Sequence, residues 1–275
     1  MIIMVFIKTG THLQTKTRTY ILMRQSKRAT ESEEAMKLIG THNRMLEDAK
    51  ARGVPLVIPA GNIEYHGPHC VCGCDTLIVE GIANLLEQEK EIVVAPTAAY
   101  CPSTWVASGP EMNTLSMDMS GFERHAHGIL RGLLEGGWKN IKVLIHHQYD
   151  RELLFPMTLS WMSSGKQALF ERMEALHGRG WYARIGNDPH EMDYKRWISV
   201  MPVMSREVQE RTGYDHAGKY ECSLLMALYP GQGLVLPEQA ADAGEWFAES
   251  AAGANEKLGR KMIAEILADL KEKIG

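Results

Sequence analysis

A chain of 275 residues, 45% hydrophobic and 23% charged, is long enough to bury a substantial core and suits one large domain or two small ones. Its formal net charge of −4 and pI near 6.3 leave no basic footprint for nucleic acid or for an anionic membrane surface. No apolar run approaches the ~20 residues that cross a bilayer. The opening "MIIMVFI" is cut short by Lys8, too early for a signal peptide. Five cysteines form an odd, locally crowded set unlike a secreted disulfide framework, so a cytoplasmic location is expected.

Residues 1–34 mix β-branched residues with scattered basic ones (Lys16, Arg18, Arg24, Lys27, Arg28) and show no clear period. They read as an N-terminal extension, partly disordered, and residues 35–275 as a single domain. "SEEAMKLIGTHNRMLEDAKARG" places Ala35, Leu38, Ile39, Met45 and Leu46 at roughly helical spacing, with Gly53 as a stop. "VPLVIPAG" (54–61) reads as a short buried strand, and "DTLIVEGIANLLEQEK" (75–90) as a helix by its Ile78, Ile82, Leu85, Leu86 stripe. "EIVVAP" (91–96) is a second buried strand. "SGFERHAHGILRGLLEGGW" (120–138) begins with Ser120 and Glu123 in capping-box spacing and closes on Gly136-Gly137.

"IKVLIHH" (141–147) is a third buried strand, followed by a long helix over about 151–176 and an irregular stretch up to about 215. "GKYECSLLMALYP" (218–230) is helical. The last helix (254–274) carries Leu258, Met262, Ile266 and Leu270 on one face. Strands alternating with helices predict an α/β domain with a largely parallel sheet covered on both sides. Ligands then belong at the carboxyl ends of the strands, where 62–75 and 146–150 fall.

Three polar clusters carry candidate chemistry. Glu64 and His66, two apart after the first strand, point the same way in an extended segment and suit a borderline divalent metal. Asp75 stands at the start of the next helix, as ligand or as N-cap. His69 reads as a ligand or as a turn support. Cys70, Cys72 and Cys74 lack structural-zinc spacing and read as packing. His146 and His147 end the third strand; alternation sends neighbours to opposite faces, so at most one should enter a given site. Asp150 follows, as ligand or cap. His216 lies just before a helix and Glu221 inside it, with Gly218 allowing close backbone approach. Taken singly, each residue reads rather as an ordinary cap or surface group.

Together the clusters resemble the creatininase (creatinine amidohydrolase) family. "PAGNIEYHGPHCVCGCDT" is similar to its signature, roughly P-x-G-s-x-E-x-H-G-P-H-L-P-x-x-T-D. "HAGKYECS" matches H-A-G-x-x-E-T-S, and "GPEMNTLSMD" stands where the family has P-G-T-x-S-L. "VLIHHQYD" occupies the place of a strand ending in N-G-H-G-G-N or N-G-H-Y-E-N. The resemblance, over about residues 54–230, implies a three-layer α/β/α sandwich, a homo-oligomer (commonly a hexamer) and a centre of two divalent ions, Zn or Mn. Carried over by position, Glu64, His66, Asp75 and His147 would be ligands, with Asp75 bridging. Glu221 would be the remaining ligand and a catalytic group, and His216 the proton-transfer residue.

The middle motif departs from the pattern. Ile145-His146 replaces Asn-Gly, and the carboxylate of the Tyr-Glu-Asn version is missing or displaced onto Asp150. That argues against creatinine itself, and the variant looks more like the branch described as 3-dehydro-scyllo-inosose (diketo-inositol) hydrolases. The expected activity is therefore hydrolytic C–C ring opening of a cyclic polyol-ketone in inositol catabolism. The alternatives are a cyclic amide amidohydrolase, or a non-catalytic metal- or sugar-binding relative. Gln148, Tyr149, Trp161, Trp181 and Trp197 are candidates for substrate contacts, although each Trp reads more readily as a core residue.

Overall fold

A computed structural model describes residues 36–103, 105, 107–147, 155–185, 196–240 and 244–274. The predicted N-terminal extension (1–34) lies outside the described residues, and so do Gln148, Tyr149 and Asp150. Two central strands organise the fold, β2 (Leu56–Ala60) and β4 (Ile141–Ile145), buried at every position. Largely apolar runs of this kind, interrupted only by Lys142 in β4, belong to parallel strands covered on both faces. The sheet runs β1 (Met36–Lys37), β3 (Val93–Val94), β2, β4, β5 (Ile198–Pro202), with every neighbouring pair parallel.

Successive strand residues face opposite sides, and here they feed two separate cores. Leu56, Ile58, Ile141, Val143 and Ile145 pack with α1 (Asn43–Ala51), α3 (Met119–Glu135) and α4 (Pro156–His177) through Ala49, Phe122, Leu130 and Trp161. Val57 and Leu144 pack with α2 (Cys74–Glu89), α7 (Lys219–Leu228) and α8 (Glu256–Ile274) through Ile78, Ile82, Leu224 and Ile266. Helices on both faces of a parallel sheet give the three-layer α/β/α sandwich. In α8, Met262, Ile266 and Leu270 are fully buried, each worth about 1.5–3 kcal/mol of apolar transfer. No helix among the described residues is long and apolar enough to cross a membrane.

Three local expectations are corrected. The helix predicted from Ser32 begins only at Asn43. Met36 and Lys37 pair with Val93 and Val94, the chain turns at Gly40 and Thr41 back onto the Lys37 carbonyl, and Ile39 is 84% exposed. The α3 cap is Asp118, whose side chain accepts from the Gly121 N–H, not Ser120. The stretch expected to be irregular holds α5 (Trp181–Ile185), β5 and α6 (Arg206–Thr212). β5 hid because it is half-buried throughout and ends in Pro202, and α6 is too short to show a period.

Candidate metal centre

β2 and β4 are neighbours in register, with Ala60 beside Ile145, so the segments leaving their carboxyl ends emerge side by side. Gly61 lets the β2 exit press against α2: a Cβ there would stand 2.6 Å from the Thr76 Cα. Thr76 Oγ1 donates to the Asn62 carbonyl at 2.8 Å, fastening the same junction. Asp75 is thereby held in the first turn of α2, where the helix dipole favours a carboxylate. Glu64 and His66 both turn inward and are completely buried. Tyr65 between them binds the other way, its N–H donating to Thr114 Oγ1.

Both histidines after β4 join this cluster. His147 Nδ1 lies 3.1 Å from Asp75 Oδ2 and 3.3 Å from Glu64 Oε2. His146 Nε2 lies 3.1 Å from Glu221 Oε1. The expectation that at most one would enter is corrected. Regular strand structure ends at Ile145 and the chain bends at His147, so alternation no longer governs the pair.

Glu221 comes from the first turn of α7. Asp215 accepts from the Tyr220 and Glu221 N–H groups at 3.0 and 3.1 Å, tying that turn to the preceding loop. Ala217 sits at φ +52°, an uncommon conformation for a residue with a Cβ. Two bonds hold it there: its N–H donates to Glu221 Oε2 at 2.7 Å, and His69 Nε2 donates to its carbonyl at 2.7 Å. His69 thus supports the turn, the second of its two sequence readings.

Among the described residues three groups of donors result: Glu64, Asp75 and His147; Asp75, His146 and Glu221; and His66, His216 and Glu221. None contains a cysteine. Cys70, Cys74 and Cys222 are free, buried and part of the apolar core.

Unpaired buried atoms in this cluster test whether a cation fits. His66 Nδ1 is 2.9 Å from the Glu64 carbonyl and must donate to it, which leaves Nε2, facing inward, as the nitrogen open to a metal. There it meets Asp75 Oδ1 at 3.6 Å and Glu221 Oε2 at 3.5 Å, and makes no hydrogen bond. Neither Glu64 oxygen accepts a hydrogen bond either. Buried carboxylates and lone pairs aimed at one another are costly unless a cation lies among them. Two ligands each about 2.0–2.1 Å from one ion at a tetrahedral angle stand roughly 3.4 Å apart, close to the spacing found. The donor set fits divalent metal.

The electrostatics agree. Burial lifts the Glu64 carboxyl to about 7. Burial would also raise Asp75, but His66 and His147 outweigh it and hold Asp75 well below the usual range. At Glu221, His146 and His66 outweigh burial in the same way. His66 and His147 are drawn upward by the carboxylates against their own burial. The pocket attracts positive charge.

His216 behaves differently. Its Nε2 donates to the Tyr65 carbonyl at 3.2 Å, and its ring lies 4.3 Å from the His66 ring and edge-on to Phe247 at 5.0 Å. Burial and the neighbouring His66 lower its pKa, which favours a neutral ring with Nδ1 unprotonated. It lines a cavity of about 570 Å³ together with His146, His147 and Glu221. Phe155, Tyr214, Trp246 and Phe247 form the aromatic wall of that cavity.

Trp161, Trp181 and Trp197 are not among the residues that line it. Trp161 is edge-on to Phe122 in the core, Trp181 is buried, and Trp197 lies under Lys139 Nζ. Sequence reasoning missed His146 and Trp246. A second histidine at the end of a buried strand was a signal for the first, and nothing marked the second.

The family described as "Creatininase: Creatinine amidohydrolase" matches residues 41–273. No curated protein matches at a significant level. Among solved structures, a creatinine amidohydrolase (creatininase) superposes with TM-score 0.68 at 19% identity, over 88% of this chain and 97% of that one. A manganese form of creatininase gives 0.66 at 18% identity, over 88% and 99%. A Zn-Zn type of a glutamate-to-glutamine creatininase variant gives 0.65 at 18%, over 86% and 98%. At these identities the likeness to solved structures is one of fold.

Proposed function

Because the chain belongs to the creatininase (creatinine amidohydrolase) family, we propose that it is a metal-dependent hydrolase that opens a cyclic substrate at a carbonyl carbon. The observation that carries this reading is the set of buried, unpaired donors at Glu64 and His66 facing Asp75 and Glu221. Glu64, Asp75 and His147 would hold one divalent ion, and His66, Asp75 and Glu221 the other, with Zn or Mn suited to such mixed N/O ligands. When bound, such ions supply a water of lowered pKa and polarise the carbonyl under attack.

The chain's own residues do the rest. His216 Nδ1 takes and returns a proton, since Nε2 is engaged with the Tyr65 carbonyl. With a cyclic amide that proton goes to the leaving nitrogen; with a 1,3-diketone ring it goes to carbon. Phe155, Tyr214, Trp246 and Phe247 wall the ring's site with apolar surface. Among the described lining residues there is no Lys or Arg, which supports an uncharged substrate over an anionic one. The altered strand-end motif favours the finer reading, hydrolytic C–C opening of a dehydro-inosose; the family's description supports a cyclic amide. We also propose a cytoplasmic homo-oligomer, a hexamer by family resemblance, which light scattering tests.

Purified protein reconstituted with Zn or Mn should hold two ions per chain and hydrolyse one of the two substrate classes. Less than one bound ion, with thermal stability indifferent to metal, would overturn the reading. Metal bound without turnover of either class would favour the non-catalytic relative.

A further inference from the structure

We propose that His146 is itself a ligand of the ion at Glu221, making that position a two-imidazole, two-carboxylate site of His66, His146, Asp75 and Glu221. This rests on the reading above and adds a residue to it. The position answers to Gly in the motif that the strand end resembles, so the ring is a feature of this chain. The backbone N–H of His146 bonds to the Ala60 carbonyl at 3.0 Å, which anchors the residue at the sheet edge of the site. Its side chain is buried, and Nε2 reaches Glu221 Oε1 at 3.1 Å, a separation that suits either an N–H···O bond or two donors converging on one ion.

Two further observations favour convergence. Donor atoms of Asp75, His146 and Glu221 all lie within 4.8 Å of one another. Glu221 Oε2 is already fixed by the Ala217 N–H and faces His66 Nε2, leaving Oε1 on the His146 side. Donors from four segments therefore gather about Glu221, His66 at Oε2, His146 at Oε1 and Asp75 beside both. The two positions then differ in kind: the one at Glu64 is carboxylate-rich, and the one at Glu221 is imidazole-rich. Imidazole suits Zn better than it suits Mn or Mg, so the position at Glu221 should be the Zn-selective one.

The test is metal content and affinity, read without turnover, for wild type, His146→Ala, His146→Gln and His147→Ala after dialysis against Zn. Wild type should hold two ions. Both His146 variants should keep one and bind the second more than about 100-fold more weakly, beyond what loss of an outer partner costs. Gln can still donate to Glu221, so two tightly held ions in His146→Gln would overturn ligation and leave a hydrogen-bonding role. If the variants fail to fold, zinc X-ray absorption of the His216→Asn protein decides, because His216 is also within donor reach of Glu221: three imidazoles shared by two ions support the proposal, and two oppose it. Wild type without metal would overturn the functional reading as well. Two ions in wild type and in both His146 variants, with loss of one in His147→Ala, would overturn this proposal alone.

Discussion

Glu64→Gln should make the metal-free protein more stable while destroying its metal site. Glu64 is completely buried, accepts no hydrogen bond, and has its carboxyl raised from 4.5 to about 7, chiefly by burial. A folded-state pKa above the unfolded one means that ionisation is penalised in the fold. The penalty is full above about pH 7, shrinks as the pH falls through 7, and is gone below 4.5. At pH 8 the shift corresponds to roughly 3 kcal/mol. Some of that gain is lost because His147, 3.3 Å away, loses a negative neighbour. A net gain of about 1–3 kcal/mol is expected, or roughly 2–10 °C in Tm for a chain of this size.

Thermal melts of chelator-treated wild type and Glu64→Gln at pH 8 and pH 5 provide the assay. The variant should melt higher at pH 8, with the gap closing at pH 5. With Zn added, the order should reverse, because an ion present at about 1,000 times its Kd stabilises wild type by about 4.1 kcal/mol and the variant much less. A metal-free variant that melts below wild type at pH 8 would refute the reasoning. It would mean that the Glu64 carboxylate is satisfied within the protein and needs no cation.

His216→Asn should lower kcat by about 10²–10⁴-fold with metal content unchanged, as loss of a proton-transfer group does; metal analysis beside turnover checks it. Gly61→Ala places a Cβ 2.6 Å from the Thr76 Cα, where backbone and not a flexible side chain must yield. A loss of about 1–3 kcal/mol is expected in urea unfolding, with weaker metal binding as Asp75 shifts. His69→Ala removes the bond to the Ala217 carbonyl. It should cost about 1–3 kcal/mol and weaken the ion at Glu221 more than the one at Glu64, read by titration with Zn. Cys72→Ser should leave metal content unchanged, since no donor group includes that thiol.

The parts of the fold that could be read from the sequence are those whose burial imposes a period. β2 appears as an unbroken apolar run and β4 as one interrupted only by Lys142 because helices cover both faces, and α8 shows its stripe because only one face meets the core. β1 and β5 lie at the sheet edges and were missed, β1 because it is two residues long and β5 because it is half-buried and ends in proline. At the site, the spacing of Glu64 and His66 was readable because the segment after β2 stays extended and alternates. The same rule misled at His146, where the chain bends. That Glu221 meets His66 and His146 is a tertiary fact: the residues are far apart in sequence, and motif resemblance rather than periodicity pointed to the pairing. Asp150 stays a candidate outside the described residues.

The cavity touches only part of the donor cluster. His146, His147, His216 and Glu221 line it, whereas Glu64, His66 and Asp75 lie behind them, shut off from solvent. An ion bound at Glu64 would meet the cavity only at His147, whereas one bound at Glu221 would meet it at His146 and Glu221. Slow release from the position at Glu64 would then reflect a narrow exit past one imidazole as much as tight binding, and a chelator should strip the ion at Glu221 in a distinct, faster phase.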